Sequence, residues 1–127
     1  EEHNMTIHEY EMVYVTRPEL SEDIQKELHE KLAEIINKNG GELLIEEKWG
    51  RRKLAYIIQK HQYANYFLLD YVGAADLPEE LERVIRLDER FIRFLTVKLE
   101  DDVDLEVCKQ AAAARHQLRL EKINPSS

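Results

Sequence analysis

The sequence has one cysteine, three prolines and four glycines among its 127 residues. The single thiol, Cys108, excludes an intrachain disulfide and a thiolate-rich metal site built from this chain alone. Lys109 and Arg115 are near enough in sequence to lower its pKa, but we interpret Cys108 as a small, incidental side chain. No apolar run approaches membrane-spanning length, so we expect no membrane contact. Nothing resembles a secretory signal, which makes the cytoplasm the expected location.

The chain also lacks the residue patterns of most catalytic sites. Its histidines are scattered and none shows metal-ligand spacing: His3, His8, His29, His61 and His116. Ser21 suits a helix cap and the remaining serines are terminal, so no serine nucleophile is predicted. No glycine-rich phosphate loop is present. We therefore predict no catalytic residues, no metal and no cofactor.

Acidic residues outnumber basic ones, but positive charge is concentrated in one segment. The formal net charge is −8, yet no acidic residue occurs between Lys48 and Leu69. Cations on an ordered strand beside flat side chains suit phosphate contacts and stacking, so nucleic acid is the leading candidate partner. The alternative is a solvated strand edge, where positive side chains discourage aggregation. Because the whole-molecule field repels phosphate, any RNA contact must come from local patches.

The hydrophobic pattern predicts the order strand, helix, strand, strand, helix, strand. The predicted strands cover residues 8–16, 42–58, 63–72 and 91–99. Ser21 is expected to cap the first helix. Asp76 and Glu79 have capping-box spacing at the start of the second. Gly50 interrupts the second strand, which suggests a bulge or a close backbone approach.

This order predicts an α+β fold, the ferredoxin-like split βαβ sandwich, with a four-stranded antiparallel sheet and two helices on one face. The first and third strands are expected to be central and the second and fourth to form the edges. We predict a loose segment over residues 1–7, one domain over 8–99 and a charged extension over 100–127. The extension is expected to be disordered, or helical on assembly, because it can bury little apolar surface.

An RNA-recognition motif shares this strand and helix order. Its central strand needs a basic residue, a glycine and interleaved aromatics, and residues 62–69 lack the basic-glycine opening. Stacking of single-stranded bases on the sheet face is therefore not predicted.

Three segments carry a resemblance to a known family: Tyr10-Glu11, the run from Trp49 through Gly-Arg-Arg-Lys-Leu-Ala-Tyr to Ile58, and residues 87–93. Over residues 8–99 the chain resembles bacterial small-subunit ribosomal protein six. The resemblance implies a noncatalytic, cytoplasmic component of the small ribosomal subunit. It also implies binding to the central domain of small-subunit (16S) ribosomal RNA together with ribosomal protein eighteen.

The resemblance also assigns residues. Those expected to bind RNA are Arg51, Arg52, Lys53, Arg86, Arg90, Arg93 and Lys98. Those expected to meet the protein partner are Trp49, Gly50, Leu54 and Tyr56. The free protein is expected to be a monomer. The alternative is a ferredoxin-like homodimeric regulatory module that senses a small molecule.

Overall fold

The computed structural model describes residues 6–58 and 60–123, except the side chain of Ile123. Its elements are β1 (His8–Thr16), α1 (Glu22–Lys38), β2 (Glu42–Ile58), β3 (His61–Gly73), α2 (Leu77–Arg86), β4 (Phe91–Glu100) and α3 (Leu105–Ile123). The first six elements confirm the predicted order. In the described part of the chain, no helix is both long enough and apolar enough to cross a membrane.

The four strands form one sheet in the order β2-β3-β1-β4, and every neighbouring pair is antiparallel. β1 and β3 are therefore central and β2 and β4 form the edges, as predicted. Alternate residues of β1 and β3 point towards α1 and α2 and build the main core. The largest of these buried side chains are Met12, Tyr14, Leu69 and Tyr71. This arrangement confirms the ferredoxin-like fold, with α1 and α2 on the same face.

The two core helices begin differently. Ser21 has an extended backbone, and its hydroxyl accepts a hydrogen bond from the Ile24 amide at 3.2 Å, which confirms the predicted cap. Asp76 already has helical dihedral angles and its side chain makes no capping hydrogen bond, so the predicted capping box is wrong. A capping box needs an extended residue before the first turn. At α2 the Leu77 amide instead bonds to the Ala74 carbonyl at 3.0 Å.

Gly50 marks an irregularity in β2. The pairing of β2 with β3 shifts between Lys48 and Gly50, and Gly50 has a φ of 88°, a conformation that other residues rarely adopt. This confirms the predicted bulge. β1 ends at Thr16, opposite Asn65, so the rest of the β2–β3 hairpin runs past the end of β1. The hairpin is thus a projecting arm that carries the basic segment.

The largest difference from the sequence expectation concerns the extension after β4. Residues expected to be disordered, or helical only on assembly, form the 19-residue helix α3 in the single chain. α3 lies on the sheet face opposite α1 and α2, because it contacts Glu9 and Asp70, which alternate with the core residues of β1 and β3. Cys108 and Ala112 are buried residues of α3 itself.

The sequence did not predict a docked α3 because charged pairs, and not an apolar stripe, hold this helix to the sheet. Its arginines and histidine reach buried carboxylates on β1, β2 and β3, and short side chains let the helix approach closely. The segment before α3 is anchored too, since the Val103 amide donates to the Ile7 carbonyl at 2.9 Å. Of the predicted loose N-terminal segment, residues 1–5 lie outside the described residues, as do residues 124–127 of the extension.

Candidate nucleic-acid interface

The sheet register gathers most of the predicted RNA-binding residues at one end of the molecule. Arg93 of β4 is opposite Val15, near the end of β1 from which the hairpin projects. The hairpin carries Arg51, Arg52 and Lys53, all exposed. Arg86 lies at the end of α2, shortly before β4 begins. The two basic segments, remote in sequence, therefore share one end of the sheet, called the basic end below.

Three arginines at the basic end lie over aromatic rings. The guanidinium carbon of Arg51 is 4.7 Å from the centroid of the Tyr63 ring. That of Arg52 is 5.2 Å from the Trp49 ring, and that of Arg86 is 5.2 Å from the Phe94 ring. Stacking restrains a long side chain while its N–H edge stays available for phosphate oxygens. The arrangement combines positive charge with flat aromatic surfaces at one end of the sheet.

A cleft of about 730 Å³ opens beside these residues. Its cationic lining comes from Arg17 after β1, Arg86 at the end of α2 and Arg93 on β4, with His61 from the start of β3. Asp88 and Glu89 also line it, so the cleft has mixed charge. The sequence predicts no binding role for Arg17 or His61, because both become neighbours of Arg93 only in the folded sheet.

Arg90 has a different role from its neighbours. Its side chain donates to Asp88 at 2.9 and 2.8 Å and to Glu27 at 3.4 Å. The hydrogen bonds from Arg90, assisted by Lys31 at 3.0 Å, outweigh burial and hold the pKa of Asp88 well below its usual range. Arg90 is thus committed to a network that ties the α2–β4 turn to α1.

Lys98 is separated from the other predicted RNA-binding residues. It pairs with Tyr10 near the start of β1, at the end of the sheet away from the hairpin. Its ammonium group lies 2.8 Å from a carboxylate oxygen of Asp101. The structure therefore does not bring Lys98 to the basic end.

The residues predicted to meet a protein partner divide into exposed and supporting ones. Tyr56 is 74% exposed near the tip of the hairpin, beside Ile57, which is also exposed. Leu54 is buried in a small cluster with Val15 and Ala64 and supports the hairpin. Gly50 supplies the bulge, and a Cβ built on it meets nothing within 4 Å.

Trp49 belongs to a contact that the sequence did not reveal. Its indole N–H donates to Glu47 at 2.8 Å, and the other oxygen of Glu47 is 2.6 Å from His116 Nδ1 and 2.8 Å from Arg119 Nε. Burial opposes ionisation of Glu47, but these hydrogen bonds outweigh it and lower its pKa. The basic strand and α3 thus share one buried carboxylate.

From the sequence, Lys109 and Arg115 are considered only as neighbours of Cys108, and no docking role is predicted for the cations of α3. Arg115, Arg119 and Lys122 recur at spacings of four and three, which places them on one side of a helix. That pattern was the available signal. Such a cationic pattern does not by itself predict docking, because a helix that packs on a sheet usually presents an apolar stripe.

The second carboxylate cluster beneath α3 consists of Glu9 and Asp70, which both bind the Arg115 guanidinium. Burial and the neighbouring Glu9 raise the pKa of Asp70 to about 7, and Arg115 opposes that rise. Burial beside the same acids raises the pKa of the Cys108 thiol to about 12. A raised pKa keeps the thiol protonated at neutral pH, which agrees with the interpretation of Cys108 as an incidental side chain.

Comparison with known proteins agrees with the fold and with the family resemblance. The sequence profile of the family described as "Ribosomal protein S6" matches residues 9–98. The small ribosomal subunit protein bS6 of Aquifex aeolicus is 41% identical over 110 residues, which cover 86% of this chain and 97% of that protein. The bS6 protein of Desulfatibacillum aliphaticivorans is 36% identical over 104 residues, covering 82% of this chain. The match spans only 56% of that relative's length.

A solved structure shows the same fold. The crystal structure of the 30S ribosomal protein S6 from Thermotoga maritima superimposes with a TM-score of 0.70 at 24% identity, covering 86% of this chain and 98% of that one. At this identity the likeness supports the fold alone. The profile match and the Aquifex relative carry the assignment further, and they confirm the resemblance given by the basic strand motif: the chain belongs to the ribosomal protein S6 family.

Proposed function

We propose that this protein is a noncatalytic component of the small ribosomal subunit that binds the central domain of 16S ribosomal RNA together with ribosomal protein eighteen. Family membership supports the ribosomal part of the proposal. The observation that carries the RNA part is the set of three arginines stacked on aromatic rings at the basic end. Phosphate contacts by Arg51, Arg52, Lys53, Arg86 and Arg93 would hold one face of the RNA.

The net charge of −8 shapes how such binding would proceed. Alone, the protein would bind RNA weakly, because its overall field repels phosphate and only the basic end attracts it. A basic partner protein would supply much of the missing attraction. Binding would then be strongly coupled, with each protein raising the affinity of the other. The free protein would be a monomer in the cytoplasm and would function on the ribosome.

The protein partner would meet the projecting hairpin. Tyr56 and Ile57 expose apolar surface there, next to the stacked pair Trp49 and Arg52. β2 is also an edge strand, and its backbone groups on the side away from β3 are open to pairing. Apolar side chains beside a free strand edge suit a protein rather than an RNA surface.

The test is binding of the purified protein to a central-domain fragment of 16S RNA, with and without ribosomal protein eighteen, across a salt series. We expect binding mainly with the partner, weakening steeply as salt rises. Arg52→Ala should reduce the slope of log affinity against log salt by about 0.7–0.9. Lys38→Ala, which removes an exposed cation at the far end of α1, is the matched control and should leave the slope unchanged.

The outcomes separate the two candidate functions. Absence of binding in both conditions, with a stable homodimer on size exclusion, would refute the ribosomal proposal and favour the ligand-sensing dimer. If Arg52→Ala had wild-type affinity and salt slope, Arg52 would not contact the RNA, and the rest of the proposal would be unaffected.

A further inference from the structure

The cleft at the basic end has a more varied lining than phosphate contacts alone would need. Its volume of about 730 Å³ lies within the range of cavities that hold small organic ligands. The deepest part of its lining is apolar: Ile85 and Phe91 are buried, and Ile92 and Phe94 are half-buried. Charged side chains surround this apolar floor. A phosphodiester would contact the charges and leave the floor without a partner.

The two carboxylates of the cleft differ in their partners. Both oxygens of Asp88 already accept hydrogen bonds, from Arg90 and from Lys31. Glu89, the next residue, is exposed, and within residues 6–58 and 60–123 it has no ion pair and no side-chain hydrogen bond. The cleft therefore contains one free carboxylate, which can only accept hydrogen bonds. Because a carboxylate repels phosphate, its place in an RNA-facing cleft is favourable only if the RNA brings donors to it.

A flat cation lies in the same cleft. The guanidinium carbon of Arg86 is 5.2 Å from the centroid of the Phe94 ring, and the Arg86 side chain is 65% exposed, so the other face of the guanidinium is open. Its distance of 3.7 Å from Glu82 is too long for a hydrogen bond. Bases that leave an RNA helix stack on aromatic rings and on guanidinium planes. Arg86 thus offers a stacking plane, and Arg93, exposed and without an ion pair in the described part of the chain, offers a charge for phosphate.

The free carboxylate distinguishes between the four bases. Guanine carries two adjacent donors on its Watson–Crick edge, N1–H and the N2 amino group, which match the two oxygens of one carboxylate. Adenine and cytosine carry one amino group beside an unprotonated ring nitrogen, whose lone pair would face the second oxygen. Uracil carries one N–H between two carbonyl groups. Guanine therefore matches Glu89 best, provided that its Watson–Crick edge is not already paired within the RNA.

We propose that this cleft binds one unpaired guanine nucleotide of the RNA. Glu89 accepts hydrogen bonds from N1–H and N2–H of the base, the open face of Arg86 stacks on the ring, and Arg93 contacts the phosphate. This inference rests on the proposed function and names the feature that the RNA presents to this part of the basic end. It also lets the protein select its site by sequence, which phosphate contacts alone do not allow.

The test is chemical modification of the central-domain RNA fragment in its complex with the full chain and ribosomal protein eighteen. Kethoxal is the probe, because it reacts with N1 and N2 of guanines whose Watson–Crick edge is free. At saturating protein, the wild type should protect a guanine that reacts in the free RNA. Glu89→Gln keeps the size of the side chain but replaces one acceptor oxygen by an amide donor. It should raise the reactivity of that guanine roughly tenfold while the complex still forms.

Glu100→Gln is the matched control. Glu100 is exposed at the other end of β4, six residues beyond Phe94 and about 20 Å away along the strand, and has no ion pair among the residues described. The substitution removes the same charge but should leave the pattern of protected guanines unchanged. Unchanged urea midpoints show that both variants are folded. Equal losses of protection in the two variants would refute the site, because the overall charge would then account for both.

The outcomes separate this inference from the proposed function. If the fragment is bound but no guanine depends on Glu89 for its protection, the inference is overturned and the proposed function stands. If the fragment is not bound with or without the partner, the proposed function is refuted. Four unrelated RNA duplexes that differ only in one bulged nucleotide then test the cleft by itself. A roughly tenfold preference for bulged guanine that is lost in Glu89→Gln would support the inference, and equal affinities for the four duplexes would overturn it.

Discussion

The Asp70 carboxylate lies 3.2 Å from the guanidinium of Arg115, forty-five residues later in the chain. Asp70 has no solvent exposure, and its second oxygen, Oδ1, has no hydrogen-bond partner in the part of the chain that the structure describes. Arg115 also binds Glu9, so one cation compensates two buried acids. Because two buried acids share one cation, we expect the attachment of α3 to the sheet to depend on Arg115 and on pH.

Replacement of Arg115 should loosen α3 and destabilise the protein. Arg115→Met keeps much of the side-chain volume but leaves Glu9 and Asp70 buried without a cation, which should lower the free energy of unfolding by about 3 kcal/mol at pH 7. Urea unfolding measures this. Arg83→Met, which removes a solvent-exposed pair with Glu80, should change the free energy of unfolding far less, because water screens that pair. Similar losses in both variants would contradict a special role for the buried acids.

The pH dependence of stability should carry the signature of Asp70. Its pKa is raised from 3.8 to about 7 by burial and by Glu9, so between these values the folded state binds a proton that the unfolded state releases. Its contribution is present below pH 3.8 and is lost as the pH rises towards 7. The stability of wild type relative to Asp70→Asn should therefore fall over this interval. Urea midpoints at several pH values test this, and an interval without slope would contradict it.

The Asp88 carboxylate should give the stability of the fold the opposite dependence on pH. Arg90 and Lys31 hold its pKa well below the usual value, so its ion pairs stabilise the fold above the unfolded pKa of 3.8 and fail as acid protonates the carboxylate. Arg90→Ala should lower stability at pH 7 by about 1–2 kcal/mol and flatten the loss below pH 4. Equal acid sensitivity of the variant and wild type would show that this network does not set the acid limit.

Substitutions of Arg90 and Arg93 should separate an effect on stability from an effect on RNA binding. Arg93 is exposed at the cleft, whereas Arg90 is paired with Asp88 and Glu27. Arg93→Ala should reduce the RNA salt slope by about 0.7–0.9 with an unchanged urea midpoint, and Arg90→Ala should shift the midpoint with a smaller effect on the slope. The reverse result would exchange the two roles.

A methyl group at position 50 should meet no steric obstacle, but the backbone conformation there is unfavourable for a residue with a Cβ. Gly50→Ala meets no atom within 4 Å, yet a φ of 88° is strained for alanine, so we expect a loss of about 1 kcal/mol. Gly73→Ala is the steric comparison, since its Cβ would overlap the end of the buried Leu77 side chain, which would have to move and should lower the midpoint. Thermal unfolding measures both, and an unchanged midpoint for Gly50→Ala would show that the bulge adapts without strain.

The sequence predicted the sheet and its two core helices because period-two and helical apolar patterns follow directly from burial on one side. It predicted Ser21 as a cap and Gly50 as a bulge because each has a local conformational cause. It missed the stacking of Arg51 on Tyr63, which needs the cross-strand register. It also placed Arg90 and Lys98 with the RNA-binding residues, although neighbouring acids engage both cations.

The docking of α3 on the sheet could not be predicted from local sequence patterns. Its docking depends on Glu9, Glu47 and Asp70. In the sequence these acids resemble surface residues, and only the folded sheet brings the carboxylates of three strands beneath one helix. A pairing between residues 106 positions apart, such as Glu9 with Arg115, leaves no local trace. Only the periodicity of the helix cations pointed to it.

The attachment of α3 also has a consequence for the order of events during synthesis. At roughly 5–20 residues per second, the 45 residues from Asp70 to Arg115 take about 2–9 s to translate. In that interval all of β1 and β3 exist, but their acids lack the cation that later compensates them. The helix that covers this face of the sheet is therefore the last element to be synthesised, and the charge compensation of Glu9 and Asp70 has to wait for it.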